Sequence, residues 1–211
     1  MEIYNTEEQQ VEAIKRFWKE NGLAIAAGVV LGLGGLYGWR YYQSSQLEKT
    51  MAQSQSYSEL LEKAQGEDNA ELAQQFQSFV EANADSSYAM LAAFVAAKEA
   101  VEKKDYAAAA KSLTFVIGSA KQAEMKALAQ LRLARVQLEQ KDHAAALNTL
   151  TAAMPEAFKA QQEELKGDAL LVAGDAAKAK TAYLAAQSAA KEGQSPILKV
   201  KLDELAHVTA A

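Results

Sequence analysis

The sequence contains no cysteine, and only two of its 211 residues are proline. The lack of cysteine excludes disulfides, thiolate metal sites and thiol catalysis, and it leaves the redox compartment undecided. Residues that favour β-strands are sparse, whereas Ala, Leu, Glu, Lys and Gln, which favour helices, are abundant. We therefore predict an all-α protein.

Basic residues are not concentrated anywhere along the chain. The formal net charge is -5, and Lys and Arg are interleaved with Glu and Asp without forming a basic stripe. A nucleic-acid-binding protein needs such a stripe to neutralise phosphates, so we predict no nucleic-acid partner. Charge runs such as 102–104 and 163–164 are interpreted as solvated helix faces.

Sequence patterns of catalysis and metal binding are missing as well. No G-x-S-x-G, P-loop or H-E-x-x-H motif occurs, and the glycine-rich stretch LGLGGLYG lies in an apolar run rather than between a strand and a helix. His143 and His207 have no partners at metal-ligand spacing and are interpreted as structural. We predict no catalytic residue, no metal site and no cofactor, and therefore no enzyme.

The longest apolar run covers residues 22–39, GLAIAAGVVLGLGGLYGW. A helix of about 18 residues reaches ~27 Å, which nearly matches the hydrocarbon core of a bilayer. Aromatic side chains flank the run at both expected headgroup levels: Phe17, Trp18, Tyr37, Trp39, Tyr41 and Tyr42. A buried core helix normally carries a polar face, and the acidic segment before the run does not resemble a cleaved signal peptide. We predict a retained transmembrane helix over 22–39.

Basic residues near the predicted span set its expected orientation. Lys15, Arg16 and Lys19 precede the span, whereas Arg40 follows it and Lys49 lies farther away. The positive-inside rule then places residues 1–21 in the cytoplasm and the C-terminal part on the exported side. In a bacterium this arrangement describes a single-pass inner-membrane protein with a periplasmic domain.

One face of the predicted span carries only small residues: Ala24, Gly28, Gly32 and Gly35. Their spacing of three and four residues leaves that face without bulk, so a second helix could approach its backbone closely. The alternative is that the pattern has no partner, since glycine is common in membrane spans.

Beyond the span, residues 40–69 are first polar and then regain spaced apolar positions, which predicts a helical extension that ends at Gly66–Asn69. The soluble domain is predicted over 70–211. It begins with an amphipathic helix over 70–82, and Asp85, Ser86 and Ser87 are candidate N-caps for the next helix.

A short motif recurs three times in this domain, around Asp105, Asp142 and Asp175. The separations of 37 and 33 residues bracket the ~34-residue period of the tetratricopeptide repeat. Small residues stand eight positions before and four positions after each Asp, where two helices of a repeat cross closely: Ala97, Ala109, Ala134, Ala146, Gly167 and Ala179. A larger packing residue stands eight positions after each Asp: Leu113, Leu150 and Tyr183. The pattern predicts a tetratricopeptide-like α-solenoid rather than a generic helical bundle.

Two further features belong to the predicted repeats. Ala153 and Ala186 continue the pattern three positions after the larger residue, whereas Val116 replaces Ala in the first repeat. Pro155 is expected to end the second repeat. The last stretch, 195–206, predicts a capping helix with Ser195 as N-cap and Pro196 at the first helical position. Leu198, Leu202 and Leu205 are expected to face the last repeat, and Lys199, Lys201, Asp203 and Glu204 to face solvent.

The N-terminal segment MEIYNTEEQQVEAIKRFWKENG, the glycine-rich span and GWRYYQ (Gly38–Gln43) resemble the YfgM family of ancillary SecYEG translocon subunits. The repeats and the closing LKVKLDELA extend this resemblance over nearly the whole chain. The resemblance implies an inner-membrane protein with a cytoplasmic tail and a periplasmic repeat domain. It also implies partners: SecYEG, the periplasmic chaperone PpiD and exported polypeptides. A second implied role is restraint of the Rcs envelope-stress response regulator.

Two functional hypotheses follow for this architecture. In the first, the span holds an adaptor domain beside the translocon, and the concave side of the repeats binds partner or exported chains for transfer to periplasmic chaperones. In the second, the acidic N-terminal segment, Glu2–Glu20, binds a response regulator on the cytoplasmic side.

Overall fold

The computed structural model describes residues 7–64, 71–190 and 195–211, and within these ranges it contains helices and no strand. The all-α class is therefore confirmed. The nine α-helices of these ranges have the following bounds: α1 Glu7–Ala64, α2 Leu72–Ala82, α3 Ser87–Glu102, α4 Tyr106–Ser119, α5 Ala123–Glu139, α6 His143–Thr149, α7 Lys159–Val172, α8 Ala176–Ala189 and α9 Pro196–Glu204. A short 3-10 helix, Glu156–Phe158, precedes α7. The helix break predicted at Gly66–Asn69 lies outside the described residues.

The chain divides into two compact units, Met1–Ala52 and Gln53–Ala211. The boundary falls inside α1, so the last turns of this helix belong to the second unit. The Tyr57 ring packs against Phe76, Phe79 and Tyr88, with centroid distances of 6.5, 6.2 and 5.7 Å. The last turns of α1, which lie in the segment 40–69 predicted as an extension, thus contribute to the core of the repeat unit because their apolar residues meet α2 and α3.

The recurring Asp motif forms the same turn three times. The residue before each Asp has a positive φ: 59° at Lys104, 62° at Lys141 and 89° at Gly174. At the first turn, Asp105 N–H donates to Ala100 O at 2.8 Å and Lys104 N–H donates to Val101 O at 2.9 Å, which is the Schellman pattern of a helix C-terminus. The Asp carboxylate then accepts the backbone N–H three residues later, at 3.0, 2.9 and 3.1 Å in the three turns. One short turn thereby ends one helix and begins its antiparallel neighbour.

The small residues of the repeats lie where the paired helices touch. Every predicted small position is buried: Ala97, Ala109, Ala134, Ala146, Gly167 and Ala179. Leu113, Leu150 and Tyr183 are buried as well. Leu113 shares a core cluster with Leu133 and Val136 of α5, so it joins its own repeat to the following one. A Cβ added at Gly167 would overlap the Tyr183 ring, which explains the absence of a side chain at this crossing.

The second repeat, around Asp142, departs from the predicted pattern at the end of α6. This helix ends at Thr149, well before Pro155, and Ala153 lies exposed outside it, whereas Val116 and Ala186 are buried. The physical reason is Gln162: its buried amide donates to Leu150 O at 2.7 Å and to Ala152 O at 2.9 Å. These hydrogen bonds satisfy carbonyl groups that a longer helix would have paired internally.

Helix α9 packs on the last repeat through Leu198 and Leu205, which are buried, and through Leu202. Ser195 is its N-cap residue and Pro196 its first residue, although the Ser195 side chain makes no capping hydrogen bond. Beyond α9 the chain is held to α8, because Lys180 Nζ donates to Val208 O at 2.6 Å. His207 lies exposed in this tethered segment.

The expectation that Lys201 and Glu163–Glu164 are solvated is wrong. Lys201 Nζ lies 2.8 Å from Glu164 Oε1 and 2.7 Å from Asp168 Oδ1, and the Lys201 side chain is only 22% exposed. Glu163 pairs with Lys159 at 2.9 Å and has a side-chain exposure of 13%. Sequence periodicity separates apolar from polar positions, but it does not reveal that charges from α7 and α9 meet.

Candidate functional site

A groove of about 500 Å³ lies between α3 and α5. Its floor is apolar and is made of Phe94, Ala97, Val101, Leu113 and Val136. Ala97 and Leu113 are two of the predicted repeat positions, so the residues that pair the helices also form the base of the groove. Val101 remains 38% exposed, which leaves an apolar contact point open on α3.

The rim of the groove carries charged side chains from both helices. On α3, Lys98 Nζ pairs with Glu102 at 2.9 Å and with Glu99 at 3.2 Å. The hydrogen bond to Glu102, followed by that to Glu99, raises the pKa of Lys98. This lysine therefore stays protonated, and the neighbouring carboxylates balance its positive charge. On α5, Arg132 and Arg135 line the opposite side.

The Arg132 guanidinium lies 4.8 Å from the centroid of the Phe94 ring, in a cation–π contact that joins the two walls of the groove. Within residues 7–64, 71–190 and 195–211, no ion pair engages Arg132 or Arg135. The sequence analysis did not identify either arginine as a candidate site residue. The signal that could have found them is their three-residue spacing, which places both on one face of a helix.

A second polar cluster holds the capping helix. The Tyr183 hydroxyl donates to Asp168 Oδ1 at 2.7 Å, and burial followed by this hydrogen bond raises the pKa of Tyr183 well above its usual range. Burial alone would lower the pKa of Lys201, but its hydrogen bonds to Asp168 and Glu164 outweigh burial, so the pKa lies above 10.5. These groups are mutually satisfied and point to a structural role rather than to proton transfer.

The predicted small face of the apolar segment is open. Ala24 is exposed, and a Cβ added at Gly28, Gly32 or Gly35 would meet no atom within 4 Å. In the described part of the chain, α1 is the helix that is long and apolar enough to cross a membrane, and none of its most apolar window is buried. Large side chains along it are exposed, among them Leu23, Leu31 and Leu36.

The two histidines are not brought together with other metal ligands. His143 is the first residue of α6 and half-buried, and its Nδ1 has no hydrogen-bond partner within the described ranges. The described ranges also contain no group of three His, Cys, Asp or Glu side chains that could hold a metal ion.

Comparison with known proteins relates this architecture to one family. The model of the tetratricopeptide repeat-like domain family matches residues 15–207. The chain is 34% identical to the ancillary SecYEG translocon subunit of Haemophilus influenzae over 199 residues, which cover 94% of this chain and 97% of that protein. It is 35% identical to the protein of the same name from Aggregatibacter actinomycetemcomitans, with the same two coverages.

A third relative, the ancillary SecYEG translocon subunit of Escherichia coli strain K12, is 36% identical over 206 residues, which are 97% of this chain and 99% of that protein. No solved structure matches the chain. The matches agree with the repeat geometry described above and extend over nearly the full length of each protein. The chain is therefore a member of the tetratricopeptide-like family that contains the ancillary SecYEG translocon subunits.

Proposed function

We propose that this protein is a membrane-anchored adaptor that associates with the SecYEG translocon and helps pass translocated chains to periplasmic chaperones. The observation that carries the proposal is the near full-length similarity to relatives that are named for this translocon. The groove between α3 and α5 supports it, because an open apolar floor in a repeat domain is suited to binding a segment of another protein.

The anchor in this proposal is the segment 22–39 of α1, which spans the bacterial inner membrane. Its large side chains are exposed along the helix, which is unfavourable in water and favourable in lipid. Residues 1–21 face the cytoplasm, and the unit Gln53–Ala211 faces the periplasm. The basic residues that precede the span support this orientation.

Partners of the adaptor are SecYEG, a PpiD-type chaperone and exported polypeptides. The small face of the span at Gly28, Gly32 and Gly35 is available for helix pairing with a partner that has its own membrane span. The groove is available for the periplasmic segments of such partners. The two surfaces lie in different units of the chain and act independently of each other in this proposal.

Photo-crosslinking in cells tests the docking role of the groove. A photo-reactive residue replaces Val101 in the full-length chain, and a matched variant carries it at Thr114, an exposed position of α4 that does not line the groove. Products with SecYEG, a chaperone or an exported chain are expected from Val101 and absent from Thr114. Absence of products from Val101, or equal products from both positions, would contradict the proposal.

A second candidate function is restraint of an Rcs-type response regulator through the cytoplasmic segment. The specific observation in its favour is that α1 already begins at Glu7, so this segment presents exposed charges on a helix before the span. Replacement of the unit 53–211 by an unrelated soluble domain separates the two functions. Retained stress regulation supports the cytoplasmic segment, and its loss assigns the regulation to the repeat unit.

A further inference from the structure

The groove between α3 and α5 has an uneven distribution of charge. Its acidic Glu102 is already paired with Lys98 at 2.9 Å. Arg132 and Arg135 then remain without an ion pair in the ranges that the structure describes, and Glu139 is the single lining carboxylate that also lacks one there. The lining of the groove thus has two unpaired positive charges and one unpaired negative charge, all on α5, in a protein whose formal net charge is -5.

The two arginines are also placed to bind carboxylates well. They are three residues apart on α5, so both project on the same side of that helix. Arg132 is held over the Phe94 ring, which limits the conformations that it must lose on binding. A guanidinium presents a planar fork of donors that matches a carboxylate, and an adjacent apolar floor strengthens the contact by excluding water.

We infer that the groove selects protein segments that combine apolar anchors with acidic side chains, with the anchors on Val101 and Phe94 and the carboxylates on Arg132 and Arg135. This inference rests on the proposed adaptor function and adds the chemical class of the bound segment. The single carboxylate of Glu139 attracts basic segments less strongly than the two arginines repel them, so the groove distinguishes acidic from basic sequences.

Three synthetic peptides test this selectivity against the full-length chain in detergent or nanodiscs. Each peptide has the same Leu and Phe anchors and blocked termini, and four further positions carry Glu, Gln or Lys. We expect the Glu peptide to bind about tenfold more tightly than the Gln peptide and the Lys peptide to bind most weakly. The preference is expected to shrink as salt rises from about 50 mM to about 500 mM.

The double variant Arg132→Gln/Arg135→Gln is expected to bind the Glu and Gln peptides with nearly equal affinity. The matched control is Lys121→Gln/Lys126→Gln, which removes the same charge from exposed positions at and before the start of α5, outside the groove lining. The control is expected to keep the preference for the Glu peptide. Circular dichroism of all variants verifies that the helices are retained.

Equal binding of the Glu and Gln peptides by the wild-type chain would overturn the acidic preference and leave the docking role intact. An equal loss of preference in the control would also overturn it, since the effect would then come from net charge alone. Binding of none of the peptides would overturn the inference too. The adaptor function is judged separately, by the crosslinking from Val101.

Discussion

The glycines predicted to lie at helix-packing positions have opposite surroundings in the two units of the chain. In the first unit, a Cβ added at Gly28, Gly32 or Gly35 would meet open space, and the large side chains around them are exposed. In the second unit, the place of a Cβ at Gly167 is occupied by the Tyr183 ring. The glycine at this helix crossing of the repeat unit is therefore packed against its own chain, whereas the three glycines of the apolar segment have open space beside them.

The same contrast holds for apolar side chains in general. The repeat unit buries its alanines and leucines in four clusters of described residues. None of the most apolar 18-residue stretch of α1 is buried. An apolar surface of this kind is stable only against a non-aqueous surrounding or another protein. The comparison indicates that packing within the chain stabilises the repeat unit, whereas the apolar segment of α1 requires a non-aqueous surrounding or another protein.

The largest effect is expected from charges placed in the apolar segment. Val30→Arg combined with Leu33→Arg places two guanidinium groups in the span, at a cost of about 3 kcal/mol each at the centre of a bilayer. The variant is expected to leave the membrane fraction on alkaline extraction. Leu47→Arg combined with Met51→Arg adds the same charge at exposed apolar residues outside the span and should remain membrane-bound. Equal extraction of both variants would contradict the claim that the apolar segment 22–39, and not the exposed residues after it, lies in lipid.

A smaller effect is expected when a methyl group is added at Gly167. Overpacking against the fully buried Tyr183 ring costs about 1–3 kcal/mol, and the gain in helix propensity of about 1 kcal/mol offsets only part of it. Gly167→Ala is therefore expected to lower the free energy of unfolding by up to about 2 kcal/mol in urea titrations. Gly118→Ala, at a helical site with open space, should raise it by about 0.5–1 kcal/mol.

Tyr183→Phe removes the hydrogen bond to Asp168 and is expected to cost about 1–2 kcal/mol at neutral pH. The raised pKa of Tyr183 means that the folded chain keeps this proton above pH 10.0, where the unfolded chain loses it. The contribution of Tyr183 is therefore fully present below pH 10.0 and is lost as pH rises toward its raised pKa. Urea titrations from pH 8 to about 11.5 should show the variant approaching the wild type in stability. If the unfolding free energies of the two proteins changed in parallel with pH, the ionisation of Tyr183 would not be the cause of the loss of stability.

The smallest effect is expected at the turns. Asp105→Ala removes the carboxylate that accepts Ala108 N–H at 3.0 Å, and it should cost about 1 kcal/mol in thermal or urea unfolding. Asp105→Ser keeps an acceptor and should cost less. Asp85→Ala is the matched control, because Asp85 makes no capping hydrogen bond, and its effect should stay within about 0.5 kcal/mol. Equal losses at the two positions would show that the cap is not the cause.

Much of the fold could be predicted from the sequence because it depends on local rules. The three Asp turns combine an N-cap with a residue of positive φ, and both features lie within a few adjacent residues. Of the three N-cap candidates before α3, the structure selects Ser86, whose hydroxyl accepts Tyr88 N–H at 3.1 Å. The sequence could name the candidates but could not rank them, since all three side chains can cap a helix.

The features that could not be predicted depend on contacts between helices. The early end of α6 follows from Gln162, which belongs to the next helix, and the burial of Lys201 follows from Asp168 and Glu164 on α7. The unpaired state of Arg132 and Arg135 depends on which carboxylates of α3 reach them. Each of these requires the three-dimensional arrangement of side chains, because helical periodicity assigns a residue to a face but not to a partner.

The most direct test of the central claim uses the absence of cysteine, since any introduced cysteine is a unique reporter. Gln10→Cys, Leu31→Cys and Thr114→Cys variants are treated with a membrane-impermeant maleimide in spheroplasts and after lysis. A chain that crosses the inner membrane once through 22–39 should react at position 114 in intact spheroplasts, at position 10 only after lysis, and at position 31 in neither. Labelling at positions 10 and 114 in intact spheroplasts alike, or at position 31 without detergent, would contradict the account.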